Sequence, residues 1–232
     1  MTVQFDALEI DWLGYATLRL EGQTGAVVYM DPGRYGVLEG YNAQDGDLML
    51  VTHDDHYDPE GIRRVAHEDA LVVVHEAIDA DEIDRVDEQP EELPYEVERV
   101  RADETFVLGP LDLFTLPAYN EPDGPYTRDD GTPYHPAGTG CGFGVTIDGT
   151  TVFWPGDSDV LADHEHLDVD VLVPPIGGSF TMDRHDVADW AETIRPDLVL
   201  PIHYNTFEAL ETDEEAFVLD VARRSVPVVL DE

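Results

Sequence analysis

The sequence predicts a layered α/β fold in one domain that spans residues 1–232. Three observations support this prediction. Short β-like segments open the chain, and fully apolar runs of strand length then alternate with amphipathic helical segments. Several of the apolar runs stop abruptly at a histidine or an aspartate. Alternating strands and helices are typical of a sheet covered by helices, and polar groups at strand ends indicate a site along one edge.

The opening segments are residues 3–10, 11–21 and 26–30, separated by turns that contain glycine, as at 21–23. Their pattern favours antiparallel strands. The third segment ends at Asp31, followed by Pro32 and Gly33. We interpret Asp31 as a turn residue, with a supporting role beside a site left open.

Residues 48–51 form an apolar run that predicts a buried strand, and a dense cluster of His and Asp follows it at 53–58. A helix is predicted next, with Asp58 as N-cap and Pro59 at its first position. The cluster therefore lies in a short turn. Asp and His are common turn residues, but His53 and His56 are three positions apart, so a tight turn can bring both imidazoles to one metal.

The middle of the chain contains an apolar strand at 71–74, an acidic surface segment without apparent chemistry at 79–98, and a hairpin formed by 105–108 and 111–116. Residues 117–140 follow and are rich in Gly, Pro and Asp. Long loops in compact domains are often functional, so this loop is expected to contact substrate. His135 lies near its end.

The last third repeats the pattern of strands that end in ligand-type side chains. A strand pair, 143–147 and 151–154, leads to Asp157, and a later strand, 198–201, leads to His203. The other expected elements are a strand at 169–174, a helix from about Asp183, a helix opened by a capping box at 212–215, and a terminal strand at 226–230.

The composition is extremely acidic, with 52 Asp and Glu against 12 basic residues, and all 12 are arginine. The net charge of −40 is self-repulsive in dilute buffer, whereas at molar salt the Debye length falls to about 3 Å. We therefore expect a cytoplasm of very high salt, as in extreme halophiles. A hydrophobic content of 42% argues against an acidic disordered chain, and the absence of an Arg-rich patch argues against a nucleic-acid partner.

The single cysteine, Cys141, excludes an internal disulfide and fits a reducing compartment, where it is expected to be a small buried strand residue. The N-terminus lacks the pattern of a signal peptide, and no apolar run approaches about 18 residues. The expectation is a soluble cytoplasmic protein with no membrane partner.

The strand-end residues His53, Asp157 and His203, with His135 nearby on its loop, indicate a metal site because strand ends converge at one sheet edge. Neutral imidazoles and carboxylates bind zinc, or manganese or iron where the oxygen share is high. A water bound there would have its pKa lowered towards about 7 and would supply hydroxide.

These motifs resemble those of the metallo-β-lactamase superfamily, in the branch of small metal-dependent hydrolases similar to the ascorbate-6-phosphate lactonase. The resemblance covers nearly the whole chain, with five landmarks in the same order. They are Val51-Thr52-His53-Asp54-Asp55-His56; Pro117-Ala118-Tyr119-Asn120 with His135-Pro136; Phe153-Trp154-Pro155-Gly156-Asp157-Ser158-Asp159; Pro174-Pro175-Ile176-Gly177-Gly178-Ser179-Phe180-Thr181-Met182-Asp183; and Pro201-Ile202-His203-Tyr204-Asn205.

The resemblance implies a four-layer αβ/βα sandwich, in which two mixed β-sheets are flanked by helices, and a dinuclear metal centre. It matches His53 to the first ligand, Asp157 to the aspartate that bridges the metals, and His203 to the terminal histidine ligand.

The first motif departs from the family form T-H-x-H-x-D-H. Aligned on the helix that follows, Asp55 and His56 match the closing Asp-His pair; aligned on His53, Asp55 takes the place of the second histidine. One imidazole is absent either way. Asn120 stands where many relatives have a histidine, and whether His135 replaces it is left open.

The predicted function is therefore metal-dependent hydrolysis, in which a metal-bound hydroxide cleaves an ester, lactone or phosphoester bond of a small polar metabolite. Asp55 and Asp157 are the predicted catalytic residues. One or two divalent transition metals are expected, zinc first and manganese or iron as alternatives, and the oligomeric state is left open. The alternative is a catalytically degenerate member that binds metal or ligand without turnover. The predicted metal ligands are His53, Asp55, His56, His135, Asp157 and His203.

Overall fold

The computed structural model describes residues 2–231 and contains two β-sheets and three α-helices. One sheet has seven strands in the order β1 to β7, and the other has six in the order β13-β12-β11-β10-β9-β8. The elements are β1 (Val3–Phe5), β2 (Leu8–Gly14), β3 (Thr17–Gly22), β4 (Val27–Met30), β5 (Gly46–Val51), α1 (Pro59–Val65), β6 (Ala66–His75), β7 (Glu96–Val100), β8 (Thr105–Leu108), β9 (Leu111–Pro117), β10 (Cys141–Ile147), β11 (Thr150–Trp154), β12 (Val171–Leu172), α2 (Arg184–Ile194), β13 (Leu198–Val199) and α3 (Glu214–Arg223).

Both sheets are mixed. Strands β1 to β4 pair antiparallel, and β4 to β7 continue in parallel. In the second sheet β8 to β11 pair antiparallel, whereas β11, β12 and β13 are parallel. Since parallel strands run in one direction, their carboxyl ends meet at one edge of each sheet.

Four layers follow from how the apolar side chains divide. Along β5, Leu48 and Leu50 enter a core between the two sheets, and Met49 and Val51 enter a second core with α1. This alternation is the period of two that a strand buried on both faces shows. Helices α2 and α3 cover the outer face of the second sheet in a third core. The predicted sandwich of two mixed sheets flanked by helices is confirmed.

Two stretches differ from the sequence-based prediction near the N-terminus. Segments 3–10 and 11–21 are three strands, not two, because the chain turns at Asp6 and at Tyr15, both with φ of 49°. The turn at Asp6 contains no glycine, and Gly14, which precedes the turn at Tyr15 with φ of 110°, was taken as part of a strand. In the acidic segment 79–98, strand β7 was missed; it is a charged edge strand, and only Val97 and Val100 among its residues are apolar.

The C-terminal prediction also needs correction. The predicted strand at 226–230 is a single bridge between Val199 and Val228, and the strands at 169–174 and 198–201 shorten to two residues each. Helix α3 is capped by Asp213, whose carboxylate accepts from the Ala216 N–H at 2.9 Å, one residue later than the predicted capping box. Cys141 is buried in β10, as expected. None of the helices in residues 2–231 has the length and apolar character needed to cross a membrane.

Candidate metal centre

The turn after β5 directs two histidines to the same side. Residues Asp54–His56 form one turn of 3₁₀-helix, and His53 is its N-cap. Because a 3₁₀-helix has three residues per turn, positions 53 and 56 lie above one another. Both imidazoles are buried, while Asp54 and Asp55 between them are exposed. Asp58 then starts α1 as predicted, accepting from the N–H groups of Glu60 and Gly61 at 3.1 Å.

The other ligand-type residues come from separate parts of the chain. Asp157 follows β11, His203 follows β13, and His135 lies near the end of the long 117–140 loop. His203 adopts a left-handed backbone conformation with φ of 56°, which is rare for a residue with a side chain. Its N–H donates to the carbonyl of Tyr15 at 2.9 Å, so this contact holds the unusual turn in place.

These residues converge on Asp157. The Nε2 atoms of His53 and His135 lie 3.9 and 3.6 Å from Oδ2 of Asp157. Those of His56 and His203 lie 3.7 and 3.4 Å from its Oδ1. Two imidazoles thus face each carboxylate oxygen. The structure brings five of the six predicted metal ligands together: His53, His56, His135, Asp157 and His203.

A buried network fixes which nitrogen of the first two histidines is free. Asp31 Oδ2 accepts from His56 Nδ1 at 2.8 Å and from the Thr52 hydroxyl at 2.8 Å. Having donated to Asp31, the Thr52 oxygen accepts from His53 Nδ1 at 2.9 Å. Since both Nδ1 atoms donate, both Nε2 atoms carry lone pairs and are available to a metal.

His135 is oriented in the same way by a different partner. Its Nδ1 faces two acceptors, the carbonyl of Phe180 at 3.1 Å and Oδ1 of Asn120 at 3.2 Å. The amide of Asn120 in turn donates to Asp159 and to the Phe180 carbonyl. Asn120 therefore holds His135, whose Nε2 lies 3.6 Å from Oδ2 of Asp157, so His135 and not Asn120 could supply the ligand that the sequence left open.

The residues fit a metal by three observations. The Nε2 atoms of His53, His56 and His203 and Oδ1 of Asp157 are buried and have no hydrogen-bond partner among residues 2–231. Burial also raises the pKa of Asp157 to about 7, so the carboxylate needs a positive neighbour to remain charged. Finally, two ligand atoms bonded to one zinc ion at about 2.0–2.2 Å lie roughly 3.4 Å apart, close to the nitrogen–oxygen distances found here.

Burial keeps the imidazoles neutral. It lowers the pKa of His53 and His56 well below the ordinary value, with neighbouring imidazoles acting in the same direction. It lowers the pKa of His203 to about 4. Neutral imidazole is the form that binds metals, so the site needs no deprotonation at neutral pH.

Asp55 is placed differently from the other predicted ligands. It is exposed, and one of its carboxylate oxygens lies within 4.8 Å of ligand atoms of His53 and Asp54. It also lies on the wall of a cavity of about 240 Å³ that opens onto Asp157 and His135. Its roles as ligand and catalytic residue stay predictions. The remaining wall of this cavity is formed mainly by aromatic side chains: Tyr15, Tyr35, Tyr134, Phe180 and Phe207, with Arg128.

Sequence reasoning missed part of the supporting structure. Asp31, taken for a turn residue, is 1% exposed and accepts from the N–H of Thr52 and the indole of Trp154 as well as from His56. The position of a carboxylate at the end of β4 was the available signal. Tyr15, whose ring lies 4.5 Å from that of His203, gave no signal because it sits in an unrecognised turn.

The other histidines lie outside the cluster. His164 is buried and donates from Nε2 to the Pro117 carbonyl at 2.9 Å, which is a structural contact. His185 is exposed at the start of α2. His75, the last residue of β6, is also buried, with 3% of its surface exposed.

Comparison with known proteins agrees with this architecture. The family model described as Beta-lactamase superfamily domain matches residues 9–203. A UPF0173 metal-dependent hydrolase of Pyrococcus abyssi is 28% identical, with 96% of each chain covered. Another of the same name, from Methanoregula boonei, is 30% identical over 93% of this chain and 90% of its own.

Solved structures share the fold at lower identity. A protein of Parabacteroides distasonis superposes with a TM-score of 0.78 at 22% identity, covering 99% of this chain and 97% of its own. Igni18, a metallo hydrolase of Ignicoccus hospitalis, gives 0.72 at 21% identity, with 96% and 94% covered. The metallo-β-lactamase fold protein YhfI of Bacillus subtilis gives 0.66 at 13% identity, with 94% and 88% covered.

Proposed function

Because the chain belongs to the β-lactamase superfamily, among relatives named UPF0173 metal-dependent hydrolases, we propose that it is itself a metal-dependent hydrolase. Its substrate is a small polar metabolite with an ester, lactone or phosphoester bond. One observation carries the proposal: two buried imidazoles face each oxygen of Asp157, and the Nε2 atoms of His53, His56 and His203 have no hydrogen-bond partner among residues 2–231.

Two divalent metals would be held by two sets of ligands that share Asp157. His53 and His135 complete one set, and His56 and His203 complete the other. Imidazole and carboxylate without thiolate suit zinc best, with manganese and iron as alternatives. Bound there, the metals would lower the pKa of water and polarise the bond to be cleaved.

The chain's own residues perform the remaining tasks. The cavity of about 240 Å³ is smaller than typical drug-sized pockets, so it selects a small substrate. Asp55, exposed on its wall, would take up the proton released by the attacking water and pass it to the leaving group. Thr52 accepts from Nδ1 of His53 and Asp31 accepts from Nδ1 of His56, so the Nε2 atoms of both histidines stay free to bind a metal.

Elemental analysis and an ester panel test this proposal. Protein prepared in high salt without chelator should carry between one and two equivalents of metal. His53→Ala and His203→Ala should each lose metal and turnover, whereas His185→Ala, the removal of an exposed histidine outside the cluster, should keep both. Full metal content in all three variants would show that the metal binds elsewhere.

A second candidate is a non-enzymatic metal- or ligand-binding protein. The observation that favours it is the missing imidazole of the first motif, where the exposed Asp55 stands in place of a buried ligand. Such a protein would show no turnover of any ester, lactone or phosphoester after zinc, manganese or iron is restored.

A further inference from the structure

The arginines of this acidic chain divide into two groups. Eight of the twelve place the guanidinium within 4.0 Å of a carboxylate. With 52 acidic residues available, such pairing is the expected state. The arginines with no carboxylate within that distance, among residues 2–231, are Arg34, Arg85, Arg128 and Arg195.

Three of these four lie around the mouth of the metal centre. Arg34 and Arg85 line a depression beside it and are occupied: Arg34 donates to the Tyr35 hydroxyl at 3.2 Å, and Arg85 donates to backbone carbonyls of Asp54, Asp55 and Tyr57. Arg128 differs because it lines the cavity itself. Its guanidinium forms no hydrogen bond within the described part of the chain and is held only by stacking, 5.1 Å from the ring centroid of Tyr134.

The acidic groups near Arg128 do not form a close ion pair with it. Its neighbour Asp130 accepts the N–H of Thr132 at 2.9 Å, and this hydrogen bond is the largest cause of the lowered pKa of that carboxyl, to which the charge of Arg128 also contributes from a distance beyond 4.0 Å. Asp55 lines the same cavity, and its carboxylate lies close to ligand atoms of His53 and Asp54. Arg128 is exposed on the cavity wall, and a guanidinium with no carboxylate of residues 2–231 within 4.0 Å suits an anionic group from outside.

We propose that Arg128 binds an anionic group of this small polar substrate, a carboxylate or a phosphate, while the aromatic walls contact a planar part of it. This rests on the proposed function, because it assigns the substrate class of the same cavity. The aromatic rings of the cavity wall pack against one another in two pairs. The ring of Tyr134 meets that of Phe180 edge-on, with 5.0 Å between their centroids, and the centroids of Tyr35 and Phe207 are 4.8 Å apart. Their faces contact a planar group without losing much conformational entropy.

The charge of the whole chain makes this contact specific. A net charge of −40 disfavours anions over most of the surface, so an anionic substrate needs a local cation. At molar salt the Debye length is about 3 Å, which screens distant charges but leaves a guanidinium–anion hydrogen bond of about 2.8 Å largely intact. In high salt Arg128 therefore discriminates by contact and not by long-range attraction.

Calorimetric titration of the metal-loaded protein in high salt tests the assignment with three probes: benzoate, phenylphosphonate and the neutral benzyl alcohol. The wild type should bind at least one anion about tenfold or more tightly than benzyl alcohol, and Arg128→Gln should abolish that preference. If Arg128→Gln weakens the binding of benzoate, the anionic group is a carboxylate; if it weakens the binding of phenylphosphonate, the group is a phosphate. Arg128→Lys should keep part of the preference for the anion, because it keeps the positive charge but loses the planar guanidinium that forms two parallel hydrogen bonds.

Arg223→Gln is the matched control, because it removes one exposed positive charge on α3, outside the cavity. It should bind the three probes as the wild type does. An anion preference that survives in Arg128→Gln places the anion on the metals and overturns the proposal, as does a wild type without any preference. Turnover is not read in this experiment, so failure of the hydrolase proposal, seen as no cleavage in the ester panel, is distinguished from failure of this one.

Discussion

Asp31 offers the sharpest test of how the metal centre is supported. Its carboxylate accepts four hydrogen bonds, from the Thr52 N–H, the Thr52 hydroxyl, His56 Nδ1 and the Trp154 indole, at 2.6 to 2.8 Å. Asp31→Asn keeps the size of the side chain but replaces one oxygen with a group that donates. Whichever way the amide faces, at least one of these buried donors loses its acceptor.

The expected effect is on metal affinity. His56 would donate to a neutral amide oxygen in place of a carboxylate, so its Nε2 becomes a weaker ligand. Loss of such a supporting carboxylate typically weakens metal binding about 10- to 100-fold, or about 1.4 to 2.8 kcal/mol, which agrees with the net value of a charged hydrogen bond.

Competition with a chromophoric zinc chelator in high salt measures this difference. Asp170→Asn is a suitable control, because Asp170 also accepts from a backbone N–H, that of Thr151 at 2.7 Å, but contacts none of the ligand histidines. If folded Asp31→Asn and Asp170→Asn both hold zinc as tightly as the wild type, the reasoning that Asp31 prepares His56 for the metal is refuted.

Three further predictions concern other parts of the molecule. Asn120→Ala removes the amide that orients His135 and should weaken one metal equivalent about tenfold by the same chelator assay, leaving the other unchanged. Burial lowers the pKa of His164 from 6.5 to about 4, so the buried neutral imidazole is fully compatible with folding above pH 6.5, and stability is lost as the pH falls towards 4. Between pH 7 and pH 4.5 the free energy of unfolding should therefore fall by about 2 kcal/mol less in His164→Phe than in the wild type. Denaturant titration at the two pH values measures this difference. Lowering the salt from molar to about 0.1 M should unfold the protein or lower its melting temperature strongly, because the Debye length grows to about 10 Å; an unchanged melting curve would contradict the predicted high-salt adaptation.

The sequence predicted the buried strands and the strand ends well, because both depend on local signals. An apolar run such as that of β5 indicates a buried strand without knowledge of the neighbouring strands, and Asp58 followed by Pro59 predicts the start of α1. The errors fall where tertiary contacts decide. Tyr15 turns with a positive φ because its ring packs among His56 and His203, and β7 is a strand because β6 offers it an open edge. Neither fact is written in the local pattern.

The departure in the first motif illustrates the same limit in the site. Both alignments assumed that a fixed spacing decides which side chains face the metals, and under that assumption Asp55 competes with His56 for a ligand position. The 3₁₀ turn resolves the competition geometrically, since it places residues 53 and 56 on the buried side and exposes Asp54 and Asp55. With His135 and His203 added, each oxygen of Asp157 faces two imidazoles. The missing imidazole therefore leaves two imidazoles on each side of Asp157, and Asp55 lies on the wall of the cavity instead.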